Sequence, residues 1–251
     1  MTRFSANLGF LWTDRPLPDA IRAAKAAGFA AVECHWPYDF PPEQVKAALL
    51  ETGLPMLGLN TRRGNVAAGD NGLCALPDRT DEALDAIGEA IEYAEDVGAK
   101  AVHVMAGFAD GSDAHQTFIQ NLYVATNLAA NRGITILIEP LNEHDAPGYF
   151  LKTLQQARDI IEEVGAPNLK LMFDCYHVGR TEGDVIAQLN YMYPLIGHIQ
   201  FASVPDRGTP DHGEVDFTEV FRQIDALGWR SPLGAEYKPN GATDGTLGWM
   251  Q

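Results

Sequence analysis

The stretch Ile134-Thr-Ile-Leu-Ile-Glu-Pro-Leu-Asn142 decides how the chain is read. Its first five residues are all β-branched or Leu, a short run of the kind that forms a strand buried on both faces, and it stops at a carboxylate followed by proline. Such a strand carries Glu139 to its own carboxyl end. The pattern recurs downstream: Leu169 to Phe173 ends at Asp174, Ile196 to Ile199 at Gln200, and Pro232 to Ala235 at Glu236. Four apolar runs each finish on an oxygen donor.

Working outward, the same alternation of short apolar runs and helical periods fills the chain. Phe4 to Trp12 reads as strand one and Pro16 to Ala27 as a helix stopped by Gly28. Ala30 to His35, Leu54 to Asn60 and Ala101 to Met105 read as strands two to four. Helices are expected at Pro41 to Glu51, Thr80 to Val97 and Asp113 to Asn131, and Thr61 to Thr80 as a long loop. After the central strand come helices at Phe150 to Val164, Thr181 to Met192 and Asp216 to Leu227, interleaved with the three later strands. Eight strand-helix units of roughly thirty residues each predict an α/β fold, a (β/α)8 TIM barrel, with residues 1–251 as a single domain. Only Gly245 to Gln251 remain for an eighth helix, so the carboxyl terminus is read as short or incomplete. A doubly wound open sheet is the alternative, but Gly9-Phe10-Leu11 lacks the glycine-rich phosphate turn after strand one.

Composition narrows the function. A formal net charge of -16 with no lysine-rich tract argues against a nucleic-acid partner. No window has the unbroken apolar length of a membrane span, and the amino terminus lacks a signal-peptide layout. Cys34, Cys74 and Cys175 are an odd number without CxxC spacing, as expected of reduced thiols in a cytoplasmic protein. Cys175, beside Asp174, reads as a buried structural thiol. Self-association into a homo-oligomer is left open.

In a parallel barrel, the carboxyl ends of all strands share one mouth, so Glu139, Asp174, Gln200 and Glu236 converge there. One acidic strand end needs no explanation beyond a wet surface. Three carboxylates held together resist ionising unless a cation sits among them, and an oxygen-only donor set suits a hard divalent ion, Mg2+ or Mn2+. Gln200, a neutral amide, fits either a metal ligand or a substrate contact. His177, three residues after Asp174, is expected in a loop that turns into the same mouth. Arg207 and Lys238 are cations placed to receive an anionic substrate. His103 alternates with Val102 and Val104, which leaves it lining the barrel or satisfied in the core. Glu33, ending strand two, is a candidate for holding a substrate hydroxyl or a neighbouring histidine. Arg62 and Arg63 read as a solvated loop.

The phrases Phe4-Ser-Ala-Asn-Leu, Ile138-Glu-Pro-Leu-Asn, Phe173-Asp-Cys-Tyr-His, Gly197-His-Ile-Gln, Pro205-Asp-Arg-Gly, His212-Gly-Glu-Val and Glu236-Tyr-Lys-Pro, in this order, resemble hydroxypyruvate isomerases of the xylose-isomerase-like barrel superfamily. The resemblance spans nearly the whole chain, with the Arg62-Arg63 pair as a departure. It implies a divalent metal on Glu139, Asp174, Gln200 and Glu236, with Glu139 and Glu236 as catalytic glutamates and His177 as the histidine of the family's Asp-x-x-His motif; from the residues themselves, Arg207, Lys238 and His103 join His177 as expected substrate contacts. The implied reaction interconverts hydroxypyruvate and tartronate semialdehyde through a metal-stabilised cis-enediolate. Related 2-oxo-tetronate isomerases share much of the pattern and are the alternative. DNA repair endonucleases of the same fold need several zinc ions, more histidine ligands and a basic face, which seven histidines and a charge of -16 do not supply. A sugar-acid-binding barrel is the non-enzyme alternative.

Overall fold

The computed structural model describes residues 2–250. Eight strands run in the order β2-β1-β8-β7-β6-β5-β4-β3, and every named pair is parallel. They are β1 (Phe4–Asn7), β2 (Ala31–Glu33), β3 (Gly58–Asn60), β4 (Ala101–His103), β5 (Thr135–Ile138), β6 (Leu169–Asp174), β7 (Ile196–Phe201) and β8 (Leu233–Ala235). The two sheet ends meet at a parallel bridge from Val32 to Met56, and Leu57 N–H donates to Val32 O at 2.7 Å. The barrel is therefore closed except for a thin β2–β3 seam.

Around it lie α1 (Leu17–Ala26), α2 (Pro42–Thr52), α3 (Thr80–Val97), α4 (Gly111–Ala130), α5 (Leu154–Val164), α6 (Cys175–Thr181), α7 (Val185–Met192) and α8 (Phe217–Ala226). Each long helix turns an apolar stripe onto the strands, such as Ala83, Ile87, Ala90, Ile91 and Ala94 of α3, all buried. Inside the barrel, Ala101, Leu137 and Met172 from three adjacent strands form a separate small apolar cluster below the mouth. Among the described residues, no helix is long and apolar enough to cross a membrane.

Four expectations need correction. Strand one stops at Asn7, because the Asn7 side chain accepts from Gly9 N–H and turns the backbone before Phe10. Strand three is only Gly58–Asn60, its earlier residues bridging to Val32. The helix expected at Thr181 to Met192 starts only at Val185, capped by Asp184, because α6 ends at Thr181 and Gly183 (φ +85°) turns the chain between them. In place of a helix after β8 the chain makes a 3-10 segment, Thr243–Met250.

The β6–β7 register slips once. Leu171 pairs with Ile196 and Met172 with His198, so Gly197 is left as an extra, bulged residue. A Cβ there would lie 2.6 Å from Lys170 Cβ, which only glycine avoids. Beyond the bulge Asp174 sits opposite Gln200, and on the other side Asn7 opposite Glu33.

The loop from Thr61 to Thr80 is not loose. Asp70 accepts from Asn65 N–H and Arg79 Nη1, both at 2.6 Å, and ties together two 3-10 turns, Val66–Ala68 and Pro77–Arg79. Arg79 holds the Asp70 carboxyl below its ordinary value of 3.8. A depressed carboxyl contributes stability above its unfolded value and loses it as pH falls through the folded one. Asp70→Asn is therefore expected to cost about 1 kcal/mol at pH 7. The cost should shrink as pH falls below the ordinary carboxyl value and through the lowered folded one, and a loss in urea melts that stays constant across that acid range would refute this.

Candidate active site

Glu139 follows β5 directly, and its side chain is buried. Its Oε1 has no hydrogen-bond partner, and its Oε2 lies 3.6 Å from Nδ1 of buried His103. Asp174 closes β6 and caps α6: Oδ1 accepts from Tyr176 N–H at 2.8 Å, while Oδ2 makes no hydrogen bond and faces Arg207 Nη2 at 3.5 Å and His177 Nε2 at 3.6 Å. Asp174 thus starts a helix, and His177 stands on its first turn rather than in the expected loop.

Gln200 and Glu236 complete the expected four. Gln200 Nε2 donates to Glu33 Oε1 at 2.8 Å and to Glu236 Oε1 at 3.3 Å, and its Oε1 is buried without a partner. Glu236 is fully engaged. Oε1 also accepts from Asn7 Nδ2 and contacts His35 Nε2, each at 2.9 Å, and Oε2 binds Arg207.

Arg207 reaches the mouth because its backbone is left-handed (φ +57°), in a turn fastened by Lys238 N–H donating to Arg207 O at 2.7 Å. Its guanidinium lies between the Phe10 and Tyr176 rings, 4.8 Å from each centroid. Lys238 itself is exposed. Its side chain borders a separate polar cleft of about 640 Å³ with Asp206, Thr209 and His212, and so lies apart from the carboxylates. Arg62 pairs with Glu89 and Arg63 stacks 3.7 Å over Trp36.

Burial and charge pull the two glutamates apart. Burial, reinforced by Glu236 and Asp174, raises Glu139 well above the usual carboxylate range. Burial also pushes Asp174 up to about 7, against the pull of Arg207. At Glu236 burial acts upward too, but Arg207 and His35 outweigh it and hold the group at about 2. Burial lowers His103 and His177 to about 3, so both are neutral. His198 goes the other way: burial opposes its charge, but Glu33 at 2.8 Å outweighs it and raises the ring.

Glu139, Asp174 and His177 each bring one ligand atom within 4.8 Å of the others, a grouping able to hold a cation. The charges agree. The buried carboxyl groups Glu33, Glu139, Asp174 and Glu236 outnumber the buried guanidinium of Arg207, with the His198 ring against Glu33. Retained protons or a bound divalent cation balance such an excess of acid. The unpaired oxygens of Glu139, Asp174 and Gln200 are the donor type a hard ion takes. His177 is different. Its Nδ1 accepts from Asn142 N–H at 2.9 Å, so the neutral ring carries its proton on Nε2, as a donor facing Asp174.

Residues 21–251 match the sequence family described as the xylose isomerase-like TIM barrel. The chain is 43% identical to a 2-oxo-tetronate isomerase of Cupriavidus necator, covering 100% of this chain and 98% of the relative. It is 36% identical to the hydroxypyruvate isomerase of Escherichia coli, again over 100% of this chain and 98% of the relative. The chain belongs to this isomerase family. A solved structure from Brucella melitensis, described as a family 2 AP endonuclease, superposes with a TM-score of 0.96 at 35% identity, over 100% of this chain and 98% of that one.

Within this isomerase-family barrel, Asn7, His35, His198, Asn142 and Asp145, whose Oδ2 lies 3.7 Å from Arg207 Nη1 and accepts from Asn142 Nδ2 at 3.3 Å, are contributors that strand-end reasoning passed over. Asn7 obeys the same rule as Glu139, since it ends β1. His198 lies two residues before Gln200 and so shares its face. His35 and Asn142 lie just past strand ends, where no period reaches.

Proposed function

We propose that this barrel isomerises a short 2-keto-3-hydroxy acid, hydroxypyruvate to tartronate semialdehyde. A proton leaves C3 and returns to C2, while the hydroxyl proton passes from one oxygen to the other. The observation that carries the reading is the division between two buried glutamates in one mouth: Glu139 holds a raised pKa and an unpaired oxygen, whereas Glu236 is held ionised with both oxygens taken. Paired carboxyls whose environments push their pKa values apart are the arrangement that proton transfer needs.

Glu139 is then the group that takes the proton from carbon and gives it back. Glu236, fixed by Asn7, His35 and Arg207, keeps its charge and accepts a substrate hydroxyl. His177 Nε2–H donates to the reacting oxygen, with Asn142 holding the ring. His103 walls the Glu139 side. Arg207, the cation inside the mouth, receives the substrate carboxylate, a duty that exposed Lys238 does not share. A bound divalent cation, Mg2+ or Mn2+, would supply Lewis-acid stabilisation of negative charge on the oxygens. Glu139, Asp174 and Gln200 would hold it, with Glu236 joining in exchange for its Arg207 contact.

The names of the relatives support both hydroxypyruvate and 2-oxo-tetronate, which present the same keto and hydroxyl pair. Nucleic-acid cleavage is disfavoured by the net charge of -16 and by the single His/Asp/Glu grouping among the described residues. The test is incubation of the enzyme with each substrate and Mn2+ in D2O, read by NMR. Isomerised product carrying carbon-bound deuterium is expected. Binding without product or exchange on any member of the panel would overturn the reading.

A further inference from the structure

We propose that Glu33 is a positioning residue for the cation: clamped by His198, its carboxylate fixes the Gln200 carboxamide with the oxygen turned into the mouth. This rests on the cation reading above and assigns a role to a buried pair that the proposed reaction does not use.

Glu33 is buried and accepts on both oxygens. Oε2 takes the His198 Nε2 contact at 2.8 Å; Oε1 takes Gln200 Nε2 at 2.8 Å and Asn7 Nδ2 at 3.2 Å. A carboxylate offers no hydrogen, so whatever faces it must donate. The same atom of Gln200 also faces Glu236 Oε1 at 3.3 Å. The atom between two carboxylates is therefore the amide nitrogen. Turning the amide over would set its oxygen against both anions and lose two charge-assisted bonds. The orientation that remains leaves Oε1 buried and unpartnered, and it is the only end able to ligate a cation.

The backbone is shaped for this contact. A Cβ on Gly234, the residue paired with Gln200 in β8, would fall 2.4 Å from Glu33 Oε1 and 2.8 Å from Gln200 Cγ. The Gly197 bulge precedes His198 and Gln200, both of which reach Glu33 across the barrel. A glutamate at 200 would place a further carboxylate against Glu33 and Glu236, which explains why the amide stands there.

Glu33→Gln gives a directional test. His198 would keep the oxygen of the substituted side chain, whose amide nitrogen would face position 200, so Gln200 would lose the Glu33 acceptor, keep only the longer Glu236 contact, and no longer have its oxygen fixed towards the mouth. Mn2+ affinity, measured by calorimetry, is expected to fall about tenfold or more, the usual scale for losing an outer partner of a ligand. The double variant Glu33→Gln/Gln200→Glu, with an oxygen at both ends of residue 200, is expected to regain most of that loss. Unchanged Mn2+ affinity in Glu33→Gln, or a double variant no better than the single, overturns the proposal. Independently of folding in the variants, the side-chain NH2 protons of Gln200 in the metal-free wild type should exchange slowly with solvent, and fast exchange overturns the fixed orientation. Slow exchange in a wild type that binds no Mn2+ supports the orientation and sinks the cation reading alone.

Discussion

Glu139→Gln is expected to lower kcat/KM by roughly 10²- to 10⁴-fold, the range a general base contributes, with no loss of folding stability. The substitution keeps the shape and removes only the proton-accepting charge. Stability is spared because Glu139 is a carboxyl whose ionisation burial, Glu236 and Asp174 all oppose, so a neutral amide relieves repulsion in the folded state. Both readouts are needed. A large loss of rate with an unchanged or raised melting temperature, and a matching loss of deuterium exchange into substrate, identifies proton transfer as the step removed. A variant that keeps near-normal turnover would move the base elsewhere. Glu236→Gln gives the contrast: it strips the counter-charge from buried Arg207, and breaking such a pair typically costs several kcal/mol. That variant should lose stability as well as activity.

The site was legible where the barrel's own regularity carried it. Parallel strands point one way, so an oxygen donor at the end of an apolar run must arrive at the common mouth, and the positions of Glu139, Asp174, Gln200 and Glu236 follow from that alone. Lys238 shows where the rule stops. It is two residues past Glu236, as if on the same face, but β8 ends at Ala235 and the backbone turns to bond Arg207 O, leaving the amine outside. Arg207 reaches the interior for the opposite reason, a left-handed residue that no periodicity announces. The Glu33–His198 contact joins residues 165 apart in sequence and depends on a one-residue bulge at Gly197. The sequence placed Glu33 at a strand end and left it either a substrate hydroxyl or a neighbouring histidine to hold; that the contact is a histidine, and which one, is a property of register, not of local pattern.

Removing divalent cations is expected to abolish turnover and to lower the melting temperature, both reversibly. The stability change follows from mass action: a cation held at 100 times its Kd stabilises the folded state by about 2.7 kcal/mol. For a chain of this size that corresponds to a shift of roughly 5–10 °C. The protein should nonetheless remain folded without metal, since burial raises Glu139 and Asp174 and so lets them keep protons in place of the cation. Mg2+ or Mn2+ should restore activity, because Glu139, Asp174 and Gln200 present oxygen to the mouth and His177 presents a protonated nitrogen. Preferential rescue by Zn2+ would indicate that His177 ligates through Nε2, which requires Nδ1 to carry the proton and the Asn142 N–H contact to be lost. Full activity in protein shown to be metal-free by elemental analysis would sink the cation altogether. The proton shuttle of Glu139 would then have to draw its electrostatic support from Arg207, the guanidinium buried at the same mouth.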